Sequence, residues 1–227
     1  MEVGTVPSHT EQTTKNMRTK SLLFTAAIMA AGVVGSVAQS VYSVNAVGYV
    51  NLSLGEQFSL IANPLNGTNN LLSTILPVVP DGAQLLTWNP GLQQFNDANV
   101  FIDGLGWLPD ATLNPGEGAF INLPSAATVT FVGEVPQGNL TNNLPSNFGL
   151  IAHIVPQAIG IEAAGLPAVD GDQVLFWNPA TQGYFDAVVY IDGLGWLPED
   201  PTPAVGQGFF YFTTGAGRQW TRTFSVN

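Results

Sequence analysis

Two aspartates and two tryptophans stand in an octapeptide that occurs twice, Ile102-Asp103-Gly104-Leu105-Gly106-Trp107-Leu108-Pro109 and Ile191-Asp192-Gly193-Leu194-Gly195-Trp196-Leu197-Pro198. Glycoside hydrolysis needs two carboxyl groups across a sugar bond, so Asp103 and Asp192 are candidates for that chemistry. The competing reading is structural, because an aspartate before glycine ordinarily ties a turn through its own side chain. A flat indole held out on a tight loop can stack on a sugar ring, which makes Trp107 and Trp196 candidate ligand-binding residues. Paired aromatics at repeated positions more often pack a shared core, which is the leading reading of the two. Asp170 and Asp172, together with the Asp-Gly loops, are weak calcium candidates, since hard cations take carboxylate and backbone oxygens. Their spacing matches neither an EF-hand nor a nonapeptide repeat.

The remaining chemistry is sparse. His153 is the one histidine after position 38, and its counterpart in the first copy is Asn63. A general base would hardly be optional within a duplicated unit, so a polar residue closing a strand end is the simpler reading. Without cysteine and with one histidine, the usual zinc sites cannot be assembled. No nucleophile elbow, phosphate loop or dinucleotide fingerprint occurs, and no cofactor is expected.

The octapeptide belongs to a longer duplication. Trp88-Asn89-Pro90 returns as Trp177-Asn178-Pro179, Asp81-Gly82 as Asp170-Gly171, and Phe58 to Ala62 as Phe148 to Ala152. Gly116-Glu117-Gly118-Ala119-Phe120 returns as Gly206-Gln207-Gly208-Phe209-Phe210. Copies that share turns and aromatics argue for one supersecondary unit of about 90 residues built twice. Within the first copy the patterns predict strands over 41–50, 58–62, 84–88, 94–102, 119–123 and 128–135. Leu71, Leu72, Ile75 and Leu76 form a short helical stripe ended by Pro77, and its counterpart is expected over 159–166. The fold class expected is therefore mainly β: a pseudo-twofold β-sandwich or pair of packed sheets with one short helix per repeat. Two small β-domains in series are the alternative.

Met17-Arg18-Thr19-Lys20 followed by the apolar run Ser21 to Val37 reads as a secretory signal peptide, with Met17 as the expected start and cleavage after Ala38. The chain then divides into a signal region, 1–38, a first β repeat, 39–137, and a second, 138–227. Processing removes Glu2, Glu11, Lys15, Arg18 and Lys20, which leaves fourteen acids, two arginines and a net charge of minus twelve. Such a chain has no cationic patch to release counterions from phosphates, so nucleic acid is excluded as a partner. No integral membrane span is expected after processing. Lysine, a common guard of exposed strand edges, is absent after residue 20. Self-association by strand addition is therefore one expectation and a soluble monomer kept apart by its charge the other.

The segments Asn45-Ala46-Val47-Gly48-Tyr49-Val50-Asn51, Phe58 to Pro64, Phe131 to Gln137 and the Gly-Glu/Gln-Gly-aromatic turn resemble uncharacterised secreted two-repeat β proteins of Verrucomicrobia-type bacteria. A looser similarity exists to β-rich repeats of Bacteroidetes surface proteins, carried by Leu60-Ile61-Ala62-Asn63-Pro64 and Pro115-Gly116-Glu117-Gly118-Ala119-Phe120. The second copy departs from that pattern with His153-Ile154 and Val205. The resemblance implies an exported, non-catalytic β-module; the signal-peptide reading itself places the chain outside the cytoplasm, as a secreted protein that is extracellular, at the cell surface or in the periplasm. From the residues, a structural or interaction protein leads, a carbohydrate-binding module using exposed tryptophan follows with polysaccharide as its partner, and a glycoside-active enzyme is third. N-terminal sequencing of the exported form is expected to begin at Gln39; a mature chain that retains Ser21 to Val37 would contradict the signal reading.

Overall fold

A strand covered on both faces loses the polar half of its alternation, and Phe209-Phe210-Tyr211-Phe212 is a run of that kind. The computed structural model describes Met1 and residues 46–226. The chain divides into two units, Met1–Ser43 and Val44–Asn227, and all that follows lies in the second. The proposed signal segment, like the 41–45 part of the first expected strand, lies outside the described residues.

The described chain is mainly β. The first copy contributes β1 (Val47–Leu54), β2 (Gln57–Ala62), α1 (Leu72–Ile75), β3 (Gln84–Asn89), β4 (Gln94–Phe95), β5 (Asn99–Ile102), β6 (Gly106–Leu108), β7 (Gly118–Leu123) and β8 (Ala127–Glu134). The second contributes β9 (Gly138–Leu144), β10 (Asn147–Ile151), β11 (Gln173–Leu175), β12 (Trp177–Asn178), β13 (Gly183–Tyr184), β14 (Val188–Ile191), β15 (Gly195–Leu197), β16 (Phe209–Thr213) and β17 (Arg218–Phe224). One sheet runs β2-β7-β3-β5-β6, with β4 on β3; the other runs β10-β16-β11-β14-β15 in the same sense, and β12–β13 form a separate hairpin. Each copy also makes an antiparallel ribbon, β1 on β8 and β9 on β17.

Three apolar clusters explain the sequence pattern. Ile61, Leu85, Ile121 and Leu123 point from the first sheet onto α1 and onto Val129 and Phe131 of its ribbon. Ile151, Val174, Phe209 and Tyr211 point from the second sheet toward Ile161, Leu144 and Trp220. The alternate residues, Leu60, Phe120, Leu150 and Phe210, face one another between the sheets, with Phe58, Trp88, Phe95, Phe148 and Trp177 around them. Successive side chains of a strand point to opposite faces. A strand such as β16 therefore serves one interior with Phe209 and Tyr211 and another with Phe210.

Several sequence expectations are refined. The strand expected over 94–102 is interrupted at Asn96-Asp97-Ala98, and the one expected to end at Val50 runs on to Leu54. A helix forms in the first copy only. Its counterpart at Ile161–Gly165 is a single hydrogen-bonded turn, in which Leu166 N–H donates to Ile161 O (2.9 Å). Gly165 has φ +77°, which ends the turn. A Cβ on Gly160 would lie 1.8 Å from the Asp200 carboxylate. That carboxylate caps the turn by accepting Glu162 N–H (3.0 Å), as Asp110 accepts Ser73 N–H (3.1 Å) at the start of α1.

The two copies clasp each other reciprocally. Gln93 Nε2 donates to Phe148 O (2.9 Å) while its Oε1 accepts Phe148 N–H (3.0 Å). Gln182 treats Phe58 in the same way, at 3.0 and 3.1 Å. Each carbonyl also receives an indole N–H: Trp88 to Phe148 O and Trp177 to Phe58 O, both 2.9 Å. Both glutamines hold left-handed backbone, φ +53° and +50°, a conformation a side chain rarely takes and one retained only where surrounding contacts fix it. Further out, Ala62 N–H donates to Gly206 O (2.8 Å) and Ala152 N–H to Gly116 O (2.9 Å). A patch that meets its own equivalent in this way is the pattern of an isologous interface, here within one chain.

Replacing either glutamine by alanine strands one backbone N–H and weakens one carbonyl at the junction, which costs about 1–3 kcal/mol. Gln93→Ala and Gln182→Ala are expected to lower the denaturation midpoint by similar amounts. A loss confined to one of them would contradict the reciprocity.

Candidate functional site

The repeated octapeptide forms the β5–β6 and β14–β15 hairpins. Leu105 N–H closes the first turn on Ile102 O (2.9 Å) and Leu194 N–H the second on Ile191 O (3.0 Å). Gly104 and Gly106, at φ +75° and +84°, and their counterparts at +77° and +80°, supply the left-handed backbone these tips need. The tips are tied down from the preceding loop: Asp81 Oδ1 accepts Asp103 N–H (2.8 Å) and Asp170 Oδ1 accepts Asp192 N–H (3.0 Å). Asp103 and Asp192 are exposed on hairpins of different sheets, and neither lines the clefts described below.

The tryptophans point inward, which corrects the expectation of stacking platforms. Alternation along a three-residue strand turns the middle residue to the core. Trp107 is 2% exposed and Trp196 is 4% exposed. Trp107 donates its indole N–H to Leu76 O (2.8 Å) and meets Phe101 edge-on at 5.5 Å. Trp196 packs against Tyr190 and Tyr211, with ring centroids 5.4 and 6.3 Å away. Its indole N–H has no partner. What the hairpins expose instead is aliphatic: Ile102, Leu105 and Leu108 on one, Ile191, Leu194 and Leu197 on the other.

The calcium candidates do not converge. Asp170 serves the hairpin, whereas Asp172 is fully buried. Its Oδ1 accepts Thr214 N–H (2.7 Å), and its Oδ2 accepts Val169 N–H (3.0 Å), Tyr211 O–H (2.5 Å) and the Arg218 guanidinium. Four donors occupy both oxygens and leave none for a cation. Burial, and then the bond to Asp172, push the Tyr211 phenol far above its ordinary range. The position equivalent to Asp172 is Ala83, so the fold tolerates an apolar residue there. Among the described residues no three of His, Cys, Asp and Glu gather as metal ligands. No helix among them is long and apolar enough to cross a membrane.

His153 is buried beside Trp220, ring centroids 5.2 Å apart. Its Nε2 meets Ile159 O at 2.9 Å, and an acceptor there requires the proton on Nε2. Nδ1 is buried without a partner. Asn63, its counterpart, is also buried, donating to Leu113 O (2.9 Å) and accepting from Leu65 N–H (3.1 Å). Both residues satisfy backbone where a strand ends, as the sequence reading of His153 had it.

Two related clefts open where the copies meet. The larger, about 500 Å³, runs between Trp88 and Pro90, the turn at Asn114–Gly118 and β9. The smaller, about 290 Å³, lies between Trp177 and Pro179, the turn at Ala204–Gln207 and β1. Sequence reasoning missed these clefts and the glutamine clasp. A signal was present in the duplicated Asn-Pro-x-x-Gln, Asn89 to Gln93 and Asn178 to Gln182, in which the glutamine is kept while the residues between change. No family model, no curated protein and no solved structure matches the chain.

Burial lowers the His153 pKa below its ordinary 6.5; the Ile159 hydrogen bond opposes this, Arg222 adds to it and Asp200 opposes it. The unfolded chain therefore takes up the proton first as pH falls. Stability from this group is complete above about pH 6.5 and declines below it until the folded-state pKa is reached. Denaturation midpoints between about pH 7 and 5.5 are expected to fall in the parent and to fall less in His153→Asn, which carries the first copy's residue. Equal slopes would contradict the assignment.

Proposed function

We propose that this is an exported, non-catalytic β-module of the bacterial envelope or extracellular space that works by surface contact, including contact with further copies of itself. One observation carries the reading. The copies have diverged inside, with Asn63 against His153, Ala83 against Asp172 and Ile121 against Tyr211, yet the hairpin octapeptide is identical, exposed residues included. Leu105 is 70% exposed and Leu194 69%. Core packing holds Trp107 and Trp196 in place, but it says nothing about a leucine in solvent. A binding role for the hairpin tip does.

Each molecule thus presents one apolar tip twice, beside β6 and β15, the end strands of their sheets. Unpaired edges are templates for pairing with another chain, and here no lysine guards them. Two equivalent edges on one molecule permit assembly to continue beyond a dimer. The candidate acids support the non-catalytic part: Asp103 and Asp192 sit on separate hairpins, and His153 is held inside.

Light scattering of the processed chain is expected to rise with concentration and with salt, because salt screens repulsion between strongly acidic copies. The Leu105→Asp, Leu194→Asp double variant should stay monomeric. Monomers at every concentration, or equal assembly by the double variant, would overturn the proposal.

A further inference from the structure

We propose that the larger inter-copy cleft is a binding site for a neutral oligosaccharide, using residues remote from the two hairpin tips. Its volume, about 500 Å³, falls within the roughly 300–1,000 Å³ of small-molecule sites. Its chemistry narrows the ligand. Thr112, Asn114, Thr141 and Asn143 line it with neutral donors and acceptors, while Trp88 and Pro90 form an apolar wall. Its one ionisable group is Glu117, whose Oε2 already accepts Asn114 N–H (2.8 Å). No cation lines it, so a phosphate, sulfate or carboxylate ligand has nothing to pair with. A purely apolar ligand would bury amides and hydroxyls without partners, at a cost of about 1–3 kcal/mol each. A polyhydroxylated, uncharged chain with an apolar ring face meets both walls.

The second cleft is an internal control, because the same chain built it on the same frame. It keeps the indole and the proline, as Trp177 and Pro179. At its floor, a Cβ on Gly206 would strike Leu52, where a Cβ on Gly116 would strike Asn142. The fold therefore accepts leucine at this position, yet the larger cleft carries a buried amide. Asn142 Nδ2 donates to Gly116 O and Ala152 O, both at 3.0 Å. That spends both protons and leaves Oδ1 as the acceptor this residue offers to a ligand hydroxyl. The cleft is lined by Thr141 and Asn143 of β9, and in the ribbon that β9 forms with β17 the residues Asn139, Thr141, Asn143, Gln219, Thr221 and Thr223 are all exposed and uncharged. A linear glycan longer than the cleft would continue along this polar ribbon.

The test is calorimetric titration of the processed chain with cellohexaose, xylohexaose, mannohexaose and maltohexaose, and with hexagalacturonate as the anionic comparison. Saturable one-site binding of at least one neutral probe is expected, with no binding of hexagalacturonate. Affinity should fall about tenfold or more in Asn142→Leu and in Asn143→Ala, and stay unchanged in Asn51→Ala on the smaller cleft. Asn143 is exposed, so its variant carries the test if Asn142→Leu fails to fold. The site is overturned if no neutral probe saturates at concentrations on the order of 10 mM. Equal binding of hexagalacturonate, or full affinity in Asn143→Ala, would overturn it as well. Assembly through the hairpin tips is read by scattering on other residues, so either idea can fail alone.

Discussion

The structure depends on how two edge strands are terminated. β2 and β10 each carry, as their second residue, a phenylalanine whose N–H and C=O face the other copy rather than a neighbouring strand. A half-buried amide and carbonyl without partners would oppose the closure that buries Leu60, Phe120, Leu150 and Phe210 between the sheets. Gln93 and Gln182 remove the conflict by presenting an amide group as a one-residue stand-in for a missing strand, donor to acceptor and acceptor to donor. The indoles of Trp88 and Trp177 supply a second donor and at the same time fill the space between the sheets. Polar satisfaction and apolar packing are thus delivered by the same few side chains.

This arrangement sets where function can reside. Because each sheet is covered on both faces, the hairpin tryptophans Trp107 and Trp196 are consumed by packing and have no face to offer. The surfaces that remain are the hairpin tips, the ribbons and the clefts beside the junction. Duplication gives each of these twice, and comparison of the copies separates what the frame requires from what it merely allows. The tip leucines are identical without a packing reason. Asn142 stands where the same frame in the other copy accepts Leu52. The first observation supports surface contact, the second a ligand in one cleft.

Much of the architecture was legible because it follows from alternation and from the spacing of the repeated segments. The β character, the short helix near Leu72–Ile75, the strands around Phe58–Ala62 and Ala119–Leu123, and the packing of aromatics at repeated positions were all readable in that way. The helix expected in the second copy does not form: Gly160 and Gly165 already weakened it in the sequence, and the structure shows why, since the Asp200 carboxylate leaves no room for a Cβ at Gly160 and Gly165 takes φ +77°. Not legible was the pairing of buried Asp172 with half-buried Arg218, whose members are 46 positions apart. An aspartate at an Asp-Gly turn reads as a loop residue until the partner that buries it is known. The inward direction of Trp107 was the favoured sequence reading, but a glycine-rich tip can place the following residue on either side, so a stacking platform remained the alternative until the fold showed it buried.

The most direct measurement is native-state hydrogen exchange at the Phe58 and Phe148 amides. If the glutamine clasp closes the junction, both amides exchange only through global unfolding, with the same protection as core amides such as that of Ile121, and with protection equal between the two. Exchange at the rate of an open loop at either amide would contradict the account.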